Sequence, residues 1–373
     1  MKRLACALAV LLVGLLFMGL TAGCGDDGVE TAESVATTES VATTSAPSTE
    51  TIELKLAAAA PTPQDNVWIL LEEWADRIEQ ETNGKVKITN YLAGTLVGQL
   101  EIFDAVIGGV ADMANGPVGW APARFGLTSF GGNCLHRSPS AQVGTTILRE
   151  IAAGTPEIQA EWGGLKALWI NSQTPPEFQL VKRAETLADL SGRQIRCPAD
   201  MGAYISALGA TPVSMPTSDI YMAMQKGILD GAYVGSSDLE AQRLAEVASF
   251  TFDVPFGGGT FGTVITEEKW NSLPDDAKAA IESASEWAAA EIAKSWDNSD
   301  ASALEFANTL GHEVIHPAPE EMTKMLDLLY AADQTVADTF EKDGKPATAV
   351  MRAAREAEQR HAADMLYPDY QLP

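Results

Sequence analysis

The chain is expected to fold as an α/β protein of two lobes, and three observations lead there. From Ile52 to Ala114 the pattern runs strand, helix, strand, helix, strand, which implies parallel pairing with right-handed crossovers. A second α/β unit begins near Glu177, just past the break at Pro175-Pro176. The glycines at 257–259 then precede a β-branched strand run, Thr263-Val264-Ile265-Thr266, which offers the chain a way back to the first lobe. A length of 373 residues is ample for two domains with cores of their own.

Element by element, Ile52 to Leu56 alternates as a strand. Asp65 can cap a helix whose apolar face is Val67, Leu70, Leu71, Trp74 and Ile78, stopped by Asn83-Gly84. Lys85 to Thr89 alternates again. Leu100, Phe103, Val106 and Ile107 mark the next helix, closed by Gly108-Gly109, with a strand over 110–114 behind it and a loop from Gly116 to Trp120. Ile147 to Ile151 belongs to a helix, and Leu165 to Ile170 is a strand ending at Asn171. Leu273, Ala277, Ile281, Ala284, Ala288, Ile292 and Trp296 trace one stripe of a long helix reaching toward Phe306. A short strand at 312–315 and two helical stretches, 325–340 and 348–365, are expected to close the second lobe.

The front of the chain reads as targeting sequence. Lys2 and Arg3 precede an apolar run from Leu4 to Leu20, and Thr21-Ala22-Gly23-Cys24 has small residues before a cysteine that would be lipidated. An ordinary secretory signal or an uncleaved anchor is the alternative. Residues 25–50 are polar and repeat ESVATT at 33–38 and 39–44, the composition of a disordered tether. The expected division is a signal at 1–23, a tether at 24–51, lobe I from 52–175 with 263–300, and lobe II from 176–262 with 301–373. A formal net charge of −26 argues against nucleic acid and anionic membrane surfaces as partners. Cys134 and Cys197, the cysteines behind Cys24, form no C-x-x-C pair, which argues against a zinc or redox site; two buried thiols are expected, with a disulfide between them as the alternative in an exported chain.

The most informative stretch is 187–231, read as strand, helix, short strand, helix, strand. In Gln194-Ile195-Arg196-Cys197-Pro198 the side chains alternate across the strand, and Pro198, lacking an N–H, ends it. Arg196 therefore stands at the carboxyl end of a strand, where open α/β sheets hold their ligands, and its planar fork can grip a carboxylate with two parallel hydrogen bonds. Spacing alone leaves a solvated surface charge as the plainer reading. Thr217 or Ser218 would cap the following helix, and Gly227 suits its C-terminal turn.

The wording of this stretch resembles the solute-binding receptors of tripartite ATP-independent periplasmic (TRAP) transporters, whose usual pattern is D-L-x-G-x-K-x-R, then G-A-x-P, then E-x-Y-x-A-L-Q-x-G-x-x-D-G. The counterparts are Asp189 to Arg196, Gly209-Ala210-Thr211-Pro212, and Asp219 to Gly231, with Gln194 for Lys, Asp219 for Glu and Met224 for Leu. The resemblance runs from about Ile52 to the C-terminal region in the same element order. It implies the two-lobed periplasmic-binding-protein architecture, each lobe a sheet flanked by helices, joined by crossing strands and a long spanning helix. It also implies Arg196 as the carboxylate clamp. Lys182 stands where some members carry a second ligand arginine and others a lysine, so its role stays open. Tyr233 follows the Asp230-Gly231 turn at a cleft-lining position. Trp120, Asn171, Phe178 and Thr217 occupy loops or strand ends expected to face the cleft, where interdomain packing is an equal alternative for each.

Enzymatic constellations do not stand out. His136, His312, His316 and His361 form no H-E-x-x-H, and no G-x-S-x-G elbow is present. Gly257 to Gly262 satisfies G-x-G-x-x-G, but a strand follows instead of a helix, which removes dinucleotide binding. The expectation is a non-enzymatic, monomeric, membrane-anchored receptor outside the cytoplasm, without cofactor or metal, that captures a small organic acid and passes it to TRAP membrane subunits. A lipid-anchored enzyme on the same scaffold and a ligand-sensing partner of a signalling protein are the alternatives. Trp120, Phe178, Tyr233 and Val234 favour an acid with an apolar or aromatic body over a heavily hydroxylated one.

Overall fold

The computed structural model describes residues 51–372. The expected signal, Cys24 and all but the last residue of the expected tether lie outside them. Among the described residues no helix is long and apolar enough to cross a membrane.

The chain begins with β1 (Ile52–Ala58), α1 (Asn66–Glu81) and β2 (Val86–Tyr91). Asp65 caps α1 by accepting from the N–H groups of Val67 (2.9 Å) and Trp68 (3.4 Å). Gly84, at φ +78, turns the chain out of the helix. The anticipated stripe Val67, Leu70, Leu71, Trp74 and Ile78 is buried. Next come α2 (Ile102–Ile107) and β3 (Met113–Pro117). Here the strand starts three residues later than expected. The N–H groups of Val110 and Ala111 both turn back to the Ala105 carbonyl, closing the helix instead of entering the sheet, and Leu100, Ile107 and Val110 are left exposed.

Three helices follow, α3 (Pro122–Asn133), α4 (Ala141–Gly154) and α5 (Pro156–Glu161), before β4 (Leu165–Ser172). The second unit contains β5 (Glu177–Leu180), α6 (Leu187–Leu190), β6 (Gln194–Arg196), α7 (Gly202–Ala207), β7 (Thr211–Val213), α8 (Ile220–Gln225), β8 (Gly231–Val234), α9 (Asp238–Ala241) and β9 (Phe250–Phe252). Thr217 does not cap α8. A single 3-10 turn over Thr217–Asp219 precedes the helix, and no side chain bonds its first N–H groups. The chain ends with β10 (Thr260–Thr266), α10 (Glu267–Ser272), α11 (Asp275–Thr309), β11 (Glu313–Ile315), α12 (Pro319–Lys342) and α13 (Ala347–Arg360).

Two sheets result, in the orders β2-β1-β3-β10-β4 and β11-β9-β5-β8-β6-β7. In the first, β1 pairs parallel with β2 and β3, while β10 lies antiparallel between β3 and β4. The chain thus crosses between lobes after β4, returns after β9, and crosses again along α11. That helix, 35 residues long, spans about 52 Å at 1.5 Å per residue. Ala277, Ile281, Ala284, Ala288, Ile292 and Trp296 pack into the first core, and Ala303 and Ala307 into a cluster with Ile220, Ala232 and Val234 of the second.

The C-terminal helices divide their allegiance. Met322, Met325, Leu326 and Leu329 of α12 join the second core beside Phe252 and Ile315. The stripe Val350, Met351 and Ala354 of α13 packs instead with Leu127, Phe130, Ile147 and Ile151 of α3 and α4. Only the first part of the C-terminal segment therefore covers the second sheet. Cys134 and Cys197 are buried free thiols.

Candidate ligand-binding site

The site is built where β6 runs out. β6 lies between β7 and β8, in register Arg196↔Val213 and Arg196↔Ala232, so Arg196 ends an interior strand. Ile195 points into the core and is fully buried. Gly231, the last residue of the D-G turn, admits this packing, because a Cβ there would meet the Gln179 carbonyl and the Leu180 side chain at 2.6 Å. Side-chain alternation and a close sheet contact together fix where the arginine emerges.

Arg196 is only 4% exposed. Its Nε and Nη2 donate to the Met215 carbonyl at 3.2 and 3.1 Å, which sets the plane of the guanidinium. No carboxylate of the described residues lies within ion-pair distance, and Nη1 is left without a partner there. Burial pulls its pKa below the ordinary value, while the fields of Asp238 and Asp200 act the other way. A desolvated cation with an open donor edge is costly unless an anion completes it.

That edge lines a cavity of about 100 Å³ between the lobes. Lobe I contributes Asp65, Trp120, Asn133 and Phe261; lobe II contributes Arg196, Asp200, Thr217, Tyr233 and Asp238. Hydrogen bonds close the lobes around it. Gln99 Nε2 donates to Thr217 Oγ1 (3.3 Å), Thr62 Oγ1 to the Ala241 carbonyl (3.2 Å), and Ser129 Oγ and Asn133 Nδ2 to Asp200 Oδ2 (2.5 and 3.0 Å). The approach is tight at Gly119, where a Cβ would sit 2.2 Å from Asp200 Oδ2.

Four of the expected site residues, Arg196, Tyr233, Trp120 and Thr217, meet at this cavity. Tyr233 borders it from the second core, with no free hydroxyl to offer. It stacks on Phe256 at 4.4 Å, and its hydroxyl both donates to the Phe256 carbonyl and accepts from the Phe256 N–H. Three others lie elsewhere. Phe178 is fully buried in the second core, 5.1 Å from the Tyr233 ring, because β5 runs between β8 and β9 and its side chain falls on the core face. Asn171 is buried in β4 opposite Phe261 and bonds the Ser172 carbonyl. Lys182 is exposed beyond β5, and its carbonyl accepts from Arg193 Nη1 at 2.6 Å.

Sequence reading missed three carboxyls on the cavity wall, Asp65, Asp200 and Asp238. Burial pushes Asp65 up to about 6 against the pull of its capping bonds. Asp238 is pushed up to about 7, again chiefly by burial, with Asp65 adding to the rise and Gln242 and Arg196 opposing it. A signal for Asp238 did exist. It follows the carboxyl end of β8, and the strand-end rule that singled out Arg196 applies there equally.

Residues 57–119 and 156–343 match the family described as bacterial extracellular solute-binding protein, family 7. The chain belongs to this family. As a family 7 member it is a solute-binding protein rather than an enzyme, and the TRAP-receptor resemblance read from residues 187–231 holds. Among its relatives is a monocarboxylate 2-oxoacid-binding periplasmic protein of Nostoc sp., 27% identical over 73% of this chain and 74% of the relative. A C4-dicarboxylate-binding periplasmic protein of Rhodobacter capsulatus is 26% identical over 62% and 70%. In fold, the family 7 chain matches a TRAP solute-binding protein of Rhodoferax ferrireducens, solved with copurified benzoate. The TM-score is 0.75 at 22% identity, covering 84% of this chain and 99% of that one.

Proposed function

We propose that this family 7 protein captures a small organic acid between its lobes and delivers it to the membrane subunits of a TRAP transporter. The observation that carries this reading is Arg196, buried, held in plane by the Met215 carbonyl and open to the cavity with no anion of its own. Its relatives named for monocarboxylate 2-oxoacids and C4-dicarboxylates support the same ligand class. Closure of the lobes removes water, which strengthens the arginine–carboxylate contact, and the ligand favours the closed state only by its differential affinity for it. The closing units are residues 52–175 with the chain from the start of β10 to 300, and 176–259 with the chain from 301.

The cavity suits a compact acid with a small apolar body and, in this closed form, is too small for an aromatic one. About 100 Å³ is less than the roughly 150 Å³ of an apolar cavity that admits benzene. The walls at Val67, Trp120, Tyr233, Phe261 and Trp296 are largely apolar. The receptor works outside the cytoplasm, held to the membrane by a lipid on Cys24, a reading that rests on the sequence of residues 1–24.

Mass spectrometry of small acids that copurify with the recombinant protein names the ligand, and calorimetric titration tests the site. Arg196→Ala should cost on the order of 2–5 kcal/mol of binding, roughly 30- to 5,000-fold in Kd. Unchanged affinity in the variant overturns the assignment.

A further inference from the structure

Arg196 is the one cation among the described residues lining the cavity, and three carboxyls share that wall with it. They are not equivalent. Asp200 Oδ2 accepts from Ser129 and Asn133, which ties this carboxylate into the contact between the lobes, although its Oδ1 is also buried without a partner among the described residues. Asp65 and Asp238 are differently placed. Asp65 stands at the N-terminus of α1 in lobe I and Asp238 at the N-terminus of α9 in lobe II, so the cleft brings them together from opposite sides.

Each of these two has an oxygen to spare. Asp65 is only 8% exposed, and its Oδ1 takes both capping N–H groups while its Oδ2 has no partner among the described residues. Asp238 Oδ1 accepts from Gln242 Nε2 at 2.5 Å, and its Oδ2 likewise has none. Burial raises both groups toward neutral pH, more than their existing donors lower them. The cavity therefore presents a partnerless cationic edge at one place and partnerless acceptors at another.

We infer that the ligand is a monocarboxylate carrying a hydrogen-bond donor, a hydroxyl or an ammonium, with its carboxylate on Arg196 and its donor on the Asp65–Asp238 pair. This deepens the organic-acid reading and rests on it. Asp65 and Asp238 become specificity-determining residues, each supplied by a different lobe, so that the donor is fully engaged only when the lobes close. A dicarboxylate fits this wall poorly. Its second charge would find no second cation and would face two acceptors, a like-charge juxtaposition that carries a heavy cost in a desolvated site.

The test titrates the full-length protein, freed of copurified ligand, with matched three- to five-carbon acids: the plain monocarboxylate, its hydroxy and amino derivatives, and the dicarboxylate. At the best chain length the hydroxy or amino acid should bind at least roughly 30-fold more tightly than the dicarboxylate. Asp65→Asn and Asp238→Asn should shrink that ratio to within about fivefold, each by removing a charged acceptor. Asparagine caps a helix as well as aspartate does, so Asp65→Asn keeps α1 intact, and a thermal melt checks both variants. A preference for the hydroxy over the amino derivative assigns the donor as hydroxyl, and the reverse assigns it as ammonium. A dicarboxylate that binds as tightly as either, or a preference that survives both substitutions, overturns the inference while Arg196-dependent binding leaves the receptor reading standing. If no acid in the panel binds in an Arg196-dependent way, both fall together.

Discussion

Replacing Arg196 by methionine should cost far more in binding than in stability. In the ligand-free protein the guanidinium is buried, bonded to one carbonyl and paired with no carboxylate of the described residues. Desolvating such a cation costs several kcal/mol. The two bonds to Met215 return about 1.5–3 kcal/mol each at most, and the fields of Asp238 and Asp200 return a further part. Methionine has a similar reach, needs no hydration and fills the same space. It leaves the Met215 carbonyl without donors, a penalty of about 1–3 kcal/mol, but breaks no ion pair, because no carboxylate of the described residues lies within ion-pair distance of Arg196. The terms nearly balance, so the ligand-free melting temperature should move by no more than a few degrees in either direction. Binding of the acid should fall roughly 30-fold or more. Thermal unfolding of ligand-free protein and calorimetry on the same preparations read the two effects separately. A loss of about 2 kcal/mol or more of stability would refute the reasoning, since it would make Arg196 a structural fastener for the Met215 loop rather than a cation waiting for an anion.

Other perturbations give further checks. Gly119→Ala forces a methyl group against Asp200 Oδ2, where the Cβ would lie 2.2 Å away, and should weaken binding by roughly 5- to 30-fold, about 1–2 kcal/mol, in titration, with a small change in the ligand-free melt. Asp238→Asn should flatten the pH dependence of stability. The folded protein holds the Asp238 proton up to about 7 while an unfolded aspartate releases it near 4, so stability falls as pH rises through that window. The full shift corresponds to ~4 kcal/mol, which the partial exposure of Asp238 to the cavity reduces to the order of 1–2 kcal/mol; melts at pH 4.5 and 8 should show the variant gaining at the higher pH, and an unchanged pH profile would reject that environment for Asp238. Cys24→Ser, with the signal retained, should release the protein from the membrane fraction, and continued attachment would point to another anchor.

Much of the architecture was readable because it depends on local periodicity. The α1 stripe, its Asp65 cap and the long helix all follow from spacing along one element. Arg196 was readable because strand alternation and Pro198 fix its position without knowledge of neighbours. What sequence did not show depends on partners. The glycine-rich α3 has little propensity of its own, and the N–H groups of Leu127 and Thr128 are held by the Glu161 carboxylate of α5. Phe178 reads as a cleft residue from its place at a loop or strand end, yet its face is decided by β8 and β9 on either side. Asp65 was legible as a cap but not as half of a pair, since its counterpart stands on the other lobe.

The position of β10 makes each lobe hostage to the rest of the chain. Thr263 of β10 faces Asn115 of β3, 148 residues earlier, and the two side chains bond at 2.7 Å. Until residues 260–266 arrive, β3 and β4 are two unpaired edges with a gap between them. Closing a loop of that size costs ~4 kcal/mol of chain entropy before any contact rewards it. The first half of the polypeptide is thus no autonomous folding unit, and native pairing waits for the C-terminal third, a high-contact-order topology that folds slowly. Segments that emerge early in synthesis therefore cannot lock into a finished first lobe until the rest of the chain has followed.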